Sequence, residues 1–299
     1  GQMNLAQNWG NSIIIKHAEG LYSKISHLKT GSFKVVKGEY VKKGHILARS
    51  GNSGRSPEPH VHFQFQATPY IGSKTLKYPF AHYLSHKPQT RYQTYGIPAE
   101  NEIISNIQLN SLLQHAFAFI PGQEITFNIT GWKKIKTEKW EVRSDAWNNL
   151  YLYCTRTKST AYLKNDGTVH YFTHFEGSRN SLLYFFFLSA YKILLAYYPN
   201  IEVKDSIPLH HSFKNPLLAI HDITAFAFFW LKASYKSSSV WSDAALNPSE
   251  IIIESTTQLK IMNYVYQLIH SEIHIDNNGL HSFTIKNKTF NIEAQCAHS

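Results

Sequence analysis

The sequence predicts a mainly β N-terminal domain, an antiparallel sheet curled into a groove, followed by an α+β C-terminal domain. Three observations support this fold class. The first 66 residues alternate short β-branched runs with glycine turns. Residues 124–175 combine closely spaced aromatic residues with turn signals, as a β meander does. Two helical patterns follow, at Ser181–Tyr198 and Pro216–Lys232, before the β character returns.

Four strands are predicted in the N-terminal region, and each is bounded by glycine or by a polar turn. They are Asn11–Ile15, Leu21–Leu28, His45–Ala48 and His60–Gln66. Two Val-x-x-Gly turns end at Gly38 and Gly44, and a glycine-rich loop, Gly51–Gly54, precedes the last strand. In that strand His60, His62, Gln64 and Gln66 alternate with apolar residues, so they share one face.

The domain boundaries follow changes in composition along the chain. Residues 1–68 form the first predicted domain. Residues 69–100, rich in Pro, Tyr, Ser and Lys, are predicted to be an irregular connector. Residues 101–299 form the predicted α+β domain. Its most apolar stretch, Leu182–Tyr198, is shorter than the roughly 20 residues that a spanning helix needs and carries Lys192. We therefore expect a buried or amphipathic soluble helix there.

Composition and charge exclude several classes of protein. The 299 residues are 43% hydrophobic and 14% aromatic, which is too apolar for a disordered chain. Lys and Arg number 30 against 20 Asp and Glu, a formal charge of +10. That charge would suit an anionic polymer, but the scattered lysines are typical of a solvated basic surface. No nucleic-acid-binding signature is present. Two cysteines, Cys154 and Cys296, are too few for a zinc ribbon.

The residues that indicate chemistry are His60-Val61-His62. Two histidines at i and i+2 of a strand point to the same side, where their rings can address one ion or one substrate bond. Neutral imidazole is a good zinc ligand, and a rigid strand sets the direction from which it approaches the ion. A third histidine, His27, closes another predicted strand upstream.

Three stretches carry a family resemblance. They are GNSIIIKHAEG at residues 10–20, LYSKISHLK at residues 21–29, and VVKGEYVKKGHILARSGNSGRSPEPHVHFQFQ at residues 35–66. In this order they resemble the lysostaphin-type (LytM-like) zinc metallopeptidases, which cut peptide bonds in bacterial cell-wall peptidoglycan. The resemblance implies that His62 is a ligand of one zinc ion and that His60 is the catalytic histidine. It further implies that His27 supports the activated water and the developing oxyanion.

One part of the family pattern is missing. The other two zinc ligands of these enzymes come from a His-x-x-x-Asp segment ahead of the Gly-Asn strand. Residues 1–9, GQMNLAQNW, contain neither a histidine nor an acid. A catalytic zinc needs three protein ligands and an open position. Because all three other histidines are present, we expect an N-terminally truncated chain, poorly active as it stands. The competing explanation is a domain that never bound zinc.

Two function hypotheses follow. The first is a zinc metalloendopeptidase acting on peptidoglycan peptides in the bacterial cell envelope, in the periplasm or at the cell surface. The second is a non-catalytic LytM-like module that binds the wall or activates a wall amidase. No nucleic-acid partner is expected under either hypothesis. The C-terminal domain is unassigned and could contact a partner in the envelope.

Other histidines are assigned no catalytic role. His17 and His45 are predicted at the surface. His270 and His274 do not form HExxH, because the glutamate between them is misplaced. No spacing around His210-His211 supports a metal site.

Overall fold

The computed structural model describes residues 6–86, 88–132, 135–198, 200–226, 228–241 and 249–297. Contacts within the chain divide it into two compact units, Gly1–Phe80 and Ala81–Ser299. Both units are built on antiparallel sheets, and most helices of the C-terminal unit are short. The predicted fold class, a mainly β N-terminal part followed by an α+β part, is therefore confirmed.

The N-terminal unit contains a four-stranded antiparallel sheet in the order β1-β2-β3-β4. The strands are β1 (Ile13–Ala18), β2 (Leu21–Ser26), β3 (His62–Gln66) and β4 (Thr75–Leu76). Gly20, at φ 72°, makes the tight turn between β1 and β2. Ile13 pairs with Ile25 on that hairpin, and Ser26 pairs with His62 across β2 and β3.

The segment between β2 and β3 contains no further strand among its described residues, so the prediction of a strand at His45–Ala48 is wrong. Gly38 and Gly44, both at φ 88°, do make the expected turns. Leu47 accepts a backbone hydrogen bond from Lys34 at 2.8 Å. Among the described residues, only single backbone hydrogen bonds such as this one join the stretch to the preceding segment, so no ladder forms.

The two faces of the β2–β3 pair have opposite character. Lys24, Ser26, Gln64 and Gln66 are buried on one face. On the other face the ring of Phe65 packs 4.3 Å from that of Tyr78, measured between ring centroids. The predicted alternation along His60–Gln66 is confirmed, and the polar side is the more buried one.

Residues 69–100, predicted as an irregular connector, contain regular elements. Strand β4 lies there, followed by β5 (Phe80–Ser85) and β6 (Arg91–Gly96). Together with β7 (Ile104–Asn106) the last two form a sheet in the order β6-β5-β7. The prolines that suggested a connector lie mainly between these strands, where they do not interrupt a ladder.

The C-terminal unit is dominated by one twelve-stranded sheet, in which every neighbouring pair is antiparallel. Its order is β13-β12-β11-β10-β9-β8-β19-β18-β17-β16-β15-β14. The first strands along the chain are β8 (Glu124–Thr130), β9 (Thr137–Ser144), β10 (Leu150–Cys154), β11 (Thr160–Asn165), β12 (Val169–Glu176) and β13 (Lys192–Leu194). The remaining strands are β14 (Val203–Ser206), β15 (Leu231–Trp241), β16 (Ile251–Ile261), β17 (Tyr264–Asp276), β18 (Gly279–Lys286) and β19 (Asn291–Cys296).

Four helices accompany this sheet among the described residues. They are α1 (Ser111–Ala116), α2 (Leu182–Ser189), α3 (Leu209–Ser212) and α4 (Asn215–Thr224). Helix α2 contacts β11 and β12 from one half of the sheet and β16 and β17 from the other. The sheet therefore curves around α2, and all eight residues of this helix are buried.

Both predicted helices are shorter than expected. Ser181 caps α2, since its Oγ accepts from the Tyr184 backbone at 3.1 Å. The helix then ends at Ser189, because Lys192–Leu194 pairs with β12 instead. The second helix ends at Thr224, and Leu231 already belongs to β15. Across the described residues, no helix is both long and apolar enough to span a membrane.

A buried carboxylate joins α2 to the sheet. Glu138 on β9 is 1% exposed, and its Oε1 accepts from the Trp140 indole at 2.9 Å and from the Leu183 backbone at 3.1 Å. Its Oε2 accepts from the Arg156 guanidinium. Leu183 lies in the first turn of α2, where backbone N–H groups lack partners within the helix and the helix dipole favours negative charge. The Glu138 carboxylate thus accepts hydrogen bonds from the first turn of α2, from the Trp140 indole and from the Arg156 guanidinium.

We expect Glu138→Ala to destabilise the C-terminal unit by about 3 kcal/mol, because it leaves two buried donors and a guanidinium without their acceptor. Glu138→Gln keeps an acceptor oxygen and should cost less. Urea unfolding followed by circular dichroism measures both. Glu141→Ala, which removes a more exposed pair with Arg143, is the control and should stay within about 1 kcal/mol of the native protein. Equal losses for Glu138→Ala and Glu141→Ala would contradict this account.

Candidate active site

His27 lies immediately after β2 and is held by the loops around it. Its φ of 62° places it in the left-handed region, where it turns the chain out of the sheet. Its backbone N–H donates to the Trp9 carbonyl at 3.1 Å, and its Nδ1 lies 2.8 Å from the Ser53 carbonyl oxygen. The side chain is 4% exposed. The ring therefore has a defined position and orientation.

His62 is the first residue of β3, and His60 lies two residues before it, with both rings close to that of His27. The ring centroids of His27 and His60 are 4.6 Å apart, and those of His27 and His62 are 6.2 Å apart. Trp9 packs its ring 4.7 Å from that of His62. The structure thus brings together all three histidines singled out in the sequence, and we call His27, His60 and His62 the imidazole cluster.

Hydrogen bonds assign the tautomer of each ring in its neutral form. The Nδ1 atom of His27 faces the Ser53 carbonyl, and that of His60 faces the Glu58 carbonyl at 2.8 Å. Because a carbonyl oxygen only accepts, both Nδ1 atoms carry the proton. Each Nε2 then carries the lone pair.

His62 has the opposite tautomer. Its Nε2 lies 3.0 Å from Oε1 of Gln64. The Gln64 amide nitrogen donates to the Ser73 carbonyl at 3.0 Å, so the amide oxygen must face His62. The proton of His62 is therefore on Nε2, and Nδ1 carries the lone pair. Such a bond to the far nitrogen is what sets ring orientation in metal-binding histidines.

The glycine-rich loop supports this arrangement through close backbone packing. Gly54 lies at φ 80° against Gly10, and a Cβ on either residue would clash with the backbone of the other segment. Ser53 donates from Oγ to the Leu28 carbonyl at 2.7 Å and accepts from the Asn11 backbone at 3.0 Å. The loop serves to tie the end of β2 to the start of the chain and to orient His27.

The described residues do not by themselves complete a zinc site at the imidazole cluster. One ligand atom, Nδ1 of His62, is oriented for coordination. A metal site requires at least three ligand side chains that are close enough to share one ion. Among the described residues such a group lies in the C-terminal unit and not at the imidazole cluster. A catalytic zinc needs three protein ligands, and the described residues around His62 do not form such a group.

A buried lysine lies on the same face of the sheet. Lys24 is 0% exposed, and its Nζ has no hydrogen-bond partner among the residues that the structure describes. The ammonium lies 3.1 Å from the centroid of the Trp9 ring, a cation–π contact. Burial lowers the pKa of Lys24 below its ordinary value. Sequence reasoning missed this residue, because one lysine in a strand gives no sign that it points inward.

The remaining histidines of the N-terminal unit lie apart from the cluster. His17 is exposed and its Nε2 is 2.8 Å from the Ser23 hydroxyl. His45 is exposed, as predicted. In the C-terminal unit, His270 and His274 lie on strand β17, so the helical spacing that HExxH requires is absent.

Comparison with known proteins shows which proteins the N-terminal unit is similar to. Residues 2–73 match the family model described as peptidase family M23. Over 71 residues the chain is 31% identical to the cell division protein DipM of Caulobacter vibrioides (strain NA1000 / CB15N). That match covers 24% of this chain and 11% of DipM. No solved structure matches. The resemblance to LytM-type peptidases is therefore confirmed for residues 2–73.

We expect Lys24→Met to stabilise the β2–β3 pair at neutral pH, because it removes a buried charge and keeps a chain that can pack on Trp9. A lysine whose folded pKa lies below 10.5 binds fewer protons folded than unfolded. Native stability should therefore rise as the pH climbs through the folded pKa toward 10.5, and the advantage of the variant should shrink.

Hydrogen exchange of peptides covering β2 and β3, compared between the two proteins at pH 7 and pH 10, measures this. Lys16→Met is the matched control, since Lys16 is exposed and paired with Glu19. Its stability relative to the native protein should not show this change between pH 7 and pH 10. If the stability difference between Lys24→Met and the native protein were the same at both pH values, the buried-charge explanation would be refuted.

Proposed function

We propose that the N-terminal unit contains the peptidase domain of a zinc metalloendopeptidase that hydrolyses peptide bonds in bacterial peptidoglycan. The observation that carries the proposal is the imidazole cluster. Each of its rings is anchored through one nitrogen and has the lone pair on the other. The match of residues 2–73 to peptidase family M23 supports the reaction class.

The anchored rings suit two separate tasks in peptide hydrolysis. A water molecule that attacks a peptide carbonyl must lose a proton, and the leaving amine must gain one. The Nε2 lone pair of His60, an exposed ring at the edge of the cluster, suits this proton transfer. A protonated His27 could donate from Nε2 to the oxygen on which negative charge develops. Because Nδ1 of each ring is already bonded to a carbonyl, neither ring needs to reorient.

His62 is proposed as a zinc ligand through Nδ1. One zinc ion is expected, and its two other protein ligands would have to come from residues outside those that the structure describes. Zinc supplies Lewis-acid polarisation of the carbonyl when it is bound. His27 and His60 are proposed to act beside the ion rather than on it, since their rings and that of His62 do not form a shared ligand group.

The substrate proposed is a peptide of the peptidoglycan, which places the protein in the bacterial cell envelope, in the periplasm or at the cell surface. The formal charge of +10 suits a wall rich in carboxylates. We propose residues 1–68 as the peptidase domain, residues 69–100 as the connector, and residues 101–299 as a domain that contacts an envelope partner. No nucleic-acid partner is proposed.

A second candidate function is a non-catalytic module that binds the wall or activates a wall amidase. The incomplete ligand set at His62 favours it, because a catalytic zinc needs three protein ligands and a binding module needs none. The complete imidazole cluster favours the peptidase, since a binding module has no need of three oriented rings.

The test incubates purified peptidoglycan sacculi with the protein expressed from its complete gene, with and without a zinc chelator. A peptidase should release soluble peptides with new amino termini, and chelation should abolish release. His60→Ala should reduce the rate by about 100-fold or more, the usual contribution of a general base. Mass spectrometry of the released peptides measures the rate and identifies the bond that is cut.

His45→Ala is the control, since this exposed residue of the same unit lies outside the imidazole cluster, and it should leave the rate unchanged. Intact sacculi under every condition would exclude the peptidase. If the protein then still sediments with sacculi, the module is supported. Neither cleavage nor binding would exclude both candidates.

A further inference from the structure

Three histidines of the C-terminal unit come together from distant parts of the chain. Strand β12 contributes His174, and the short helix α3 contributes His210 and His211. The ring centroids lie 4.8 Å apart for His174 and His211, 3.8 Å for His210 and His211, and 5.9 Å for His174 and His210. Each of the three rings offers one nitrogen, and these three nitrogens lie within 4.8 Å of one another. In the described part of the chain, no other group of three potential ligand residues is as closely spaced.

The most informative member is His211. It is 3% exposed, and its Nε2 is buried without a hydrogen-bond partner among the described residues. Its ring also bonds the Phe175 backbone. A buried polar atom without a partner is costly, so a native structure that retains one calls for an explanation. Burial, aided by His210, His174 and Arg179, lowers the pKa of His211 to about 4, so the ring is neutral and can offer its lone pair.

One carboxylate beside the three rings favours a cation. Glu176 accepts from Nε2 of His174 at 3.1 Å, the carboxylate–histidine contact that commonly supports a metal-binding ring. The positive charge of Arg179 acts on His211 and opposes a bound cation. This guanidinium donates to the carbonyls of His210 and Phe213 at 2.7 and 2.8 Å. It holds α3 against the unit.

The spacing of the rings can close around a small ion. Zn²⁺ binds imidazole nitrogen at about 2.0–2.1 Å, and tetrahedral geometry then places the ligand nitrogens about 3.3 Å apart. The ring nitrogens of the three histidines now lie up to 4.8 Å apart. Rotation of the side chains can bring them to the shorter separation. His210 is exposed and His174 is half-exposed, so both can turn toward the buried Nε2 of His211.

We propose that His174, His210 and His211 form a binding site for a divalent transition-metal ion of the zinc class, with a water in the fourth position. The ion would link α3 to β12 and satisfy the buried nitrogen of His211. Three neutral imidazoles are typical ligands for such an ion and poor ligands for Mg²⁺ or Ca²⁺. The site lies in the C-terminal unit and is independent of the peptidase proposal.

The experiment titrates the full chain with Zn²⁺ in competition with a chromogenic chelator, and measures thermal unfolding in parallel. All proteins carry His62→Ala, which removes the ligand of the N-terminal unit. We expect one Zn²⁺ per chain and a higher unfolding temperature with zinc. His210→Ala, at an exposed position that should not affect folding, should weaken zinc binding by more than about tenfold. Glu176→Gln should weaken it by about tenfold, as outer partners of metal ligands do.

His270→Ala is the matched control, an exposed histidine on β17 outside the cluster, and it should bind zinc as the parent does. Circular dichroism establishes that each variant is folded. Two results would overturn the proposal. One is the absence of bound zinc in the His62→Ala parent. The other is equal zinc affinity in folded His210→Ala, folded His174→Ala and the His270→Ala control.

Discussion

The candidate active site depends on the register between two strands, in which Ser26 of β2 lies opposite His62 of β3. This pairing puts His27, one residue past the end of β2, beside His60, which lies two residues before β3. Side chains alternate between the faces of a strand, so a slip of one residue would send His62 to the opposite face. The buried Gln64 and Gln66 oppose such a slip, because their amide groups are bonded within the polar face and to loop carbonyls.

Much of this site could be predicted from the sequence, because it depends on local periodicity. The i, i+2 spacing of His60 and His62 specifies a shared face once the strand is recognised. The position of His27 beside them followed from the family resemblance. What the sequence did not reveal is the state of each ring. The tautomers depend on the carbonyls of Ser53 and Glu58 and on the amide of Gln64, whose directions only the folded backbone determines.

The C-terminal unit was harder to predict, for a different physical reason. Helix α2 is apolar on every side and fully buried, so no amphipathic period marks where it ends. Its predicted continuation pairs with β12 instead, and this tertiary pairing overrides local preference. The same applies to the histidines of α3. His174 and His210 are 36 positions apart, and only the packing of α3 near the end of β12 makes them neighbours.

The two histidine groups differ in how their nitrogens are satisfied, and this difference supports separate roles. In the imidazole cluster each ring has one anchored nitrogen, and the rings do not share a common point, an arrangement that suits proton transfer by individual groups. In the C-terminal group the ring nitrogens converge, and the most buried one, Nε2 of His211, has no partner within the described chain. Proton transfer requires a ring that can exchange protons with substrate or solvent, which a nitrogen buried in this way cannot do. Three imidazole nitrogens that lie within 4.8 Å of one another are suited to holding an ion.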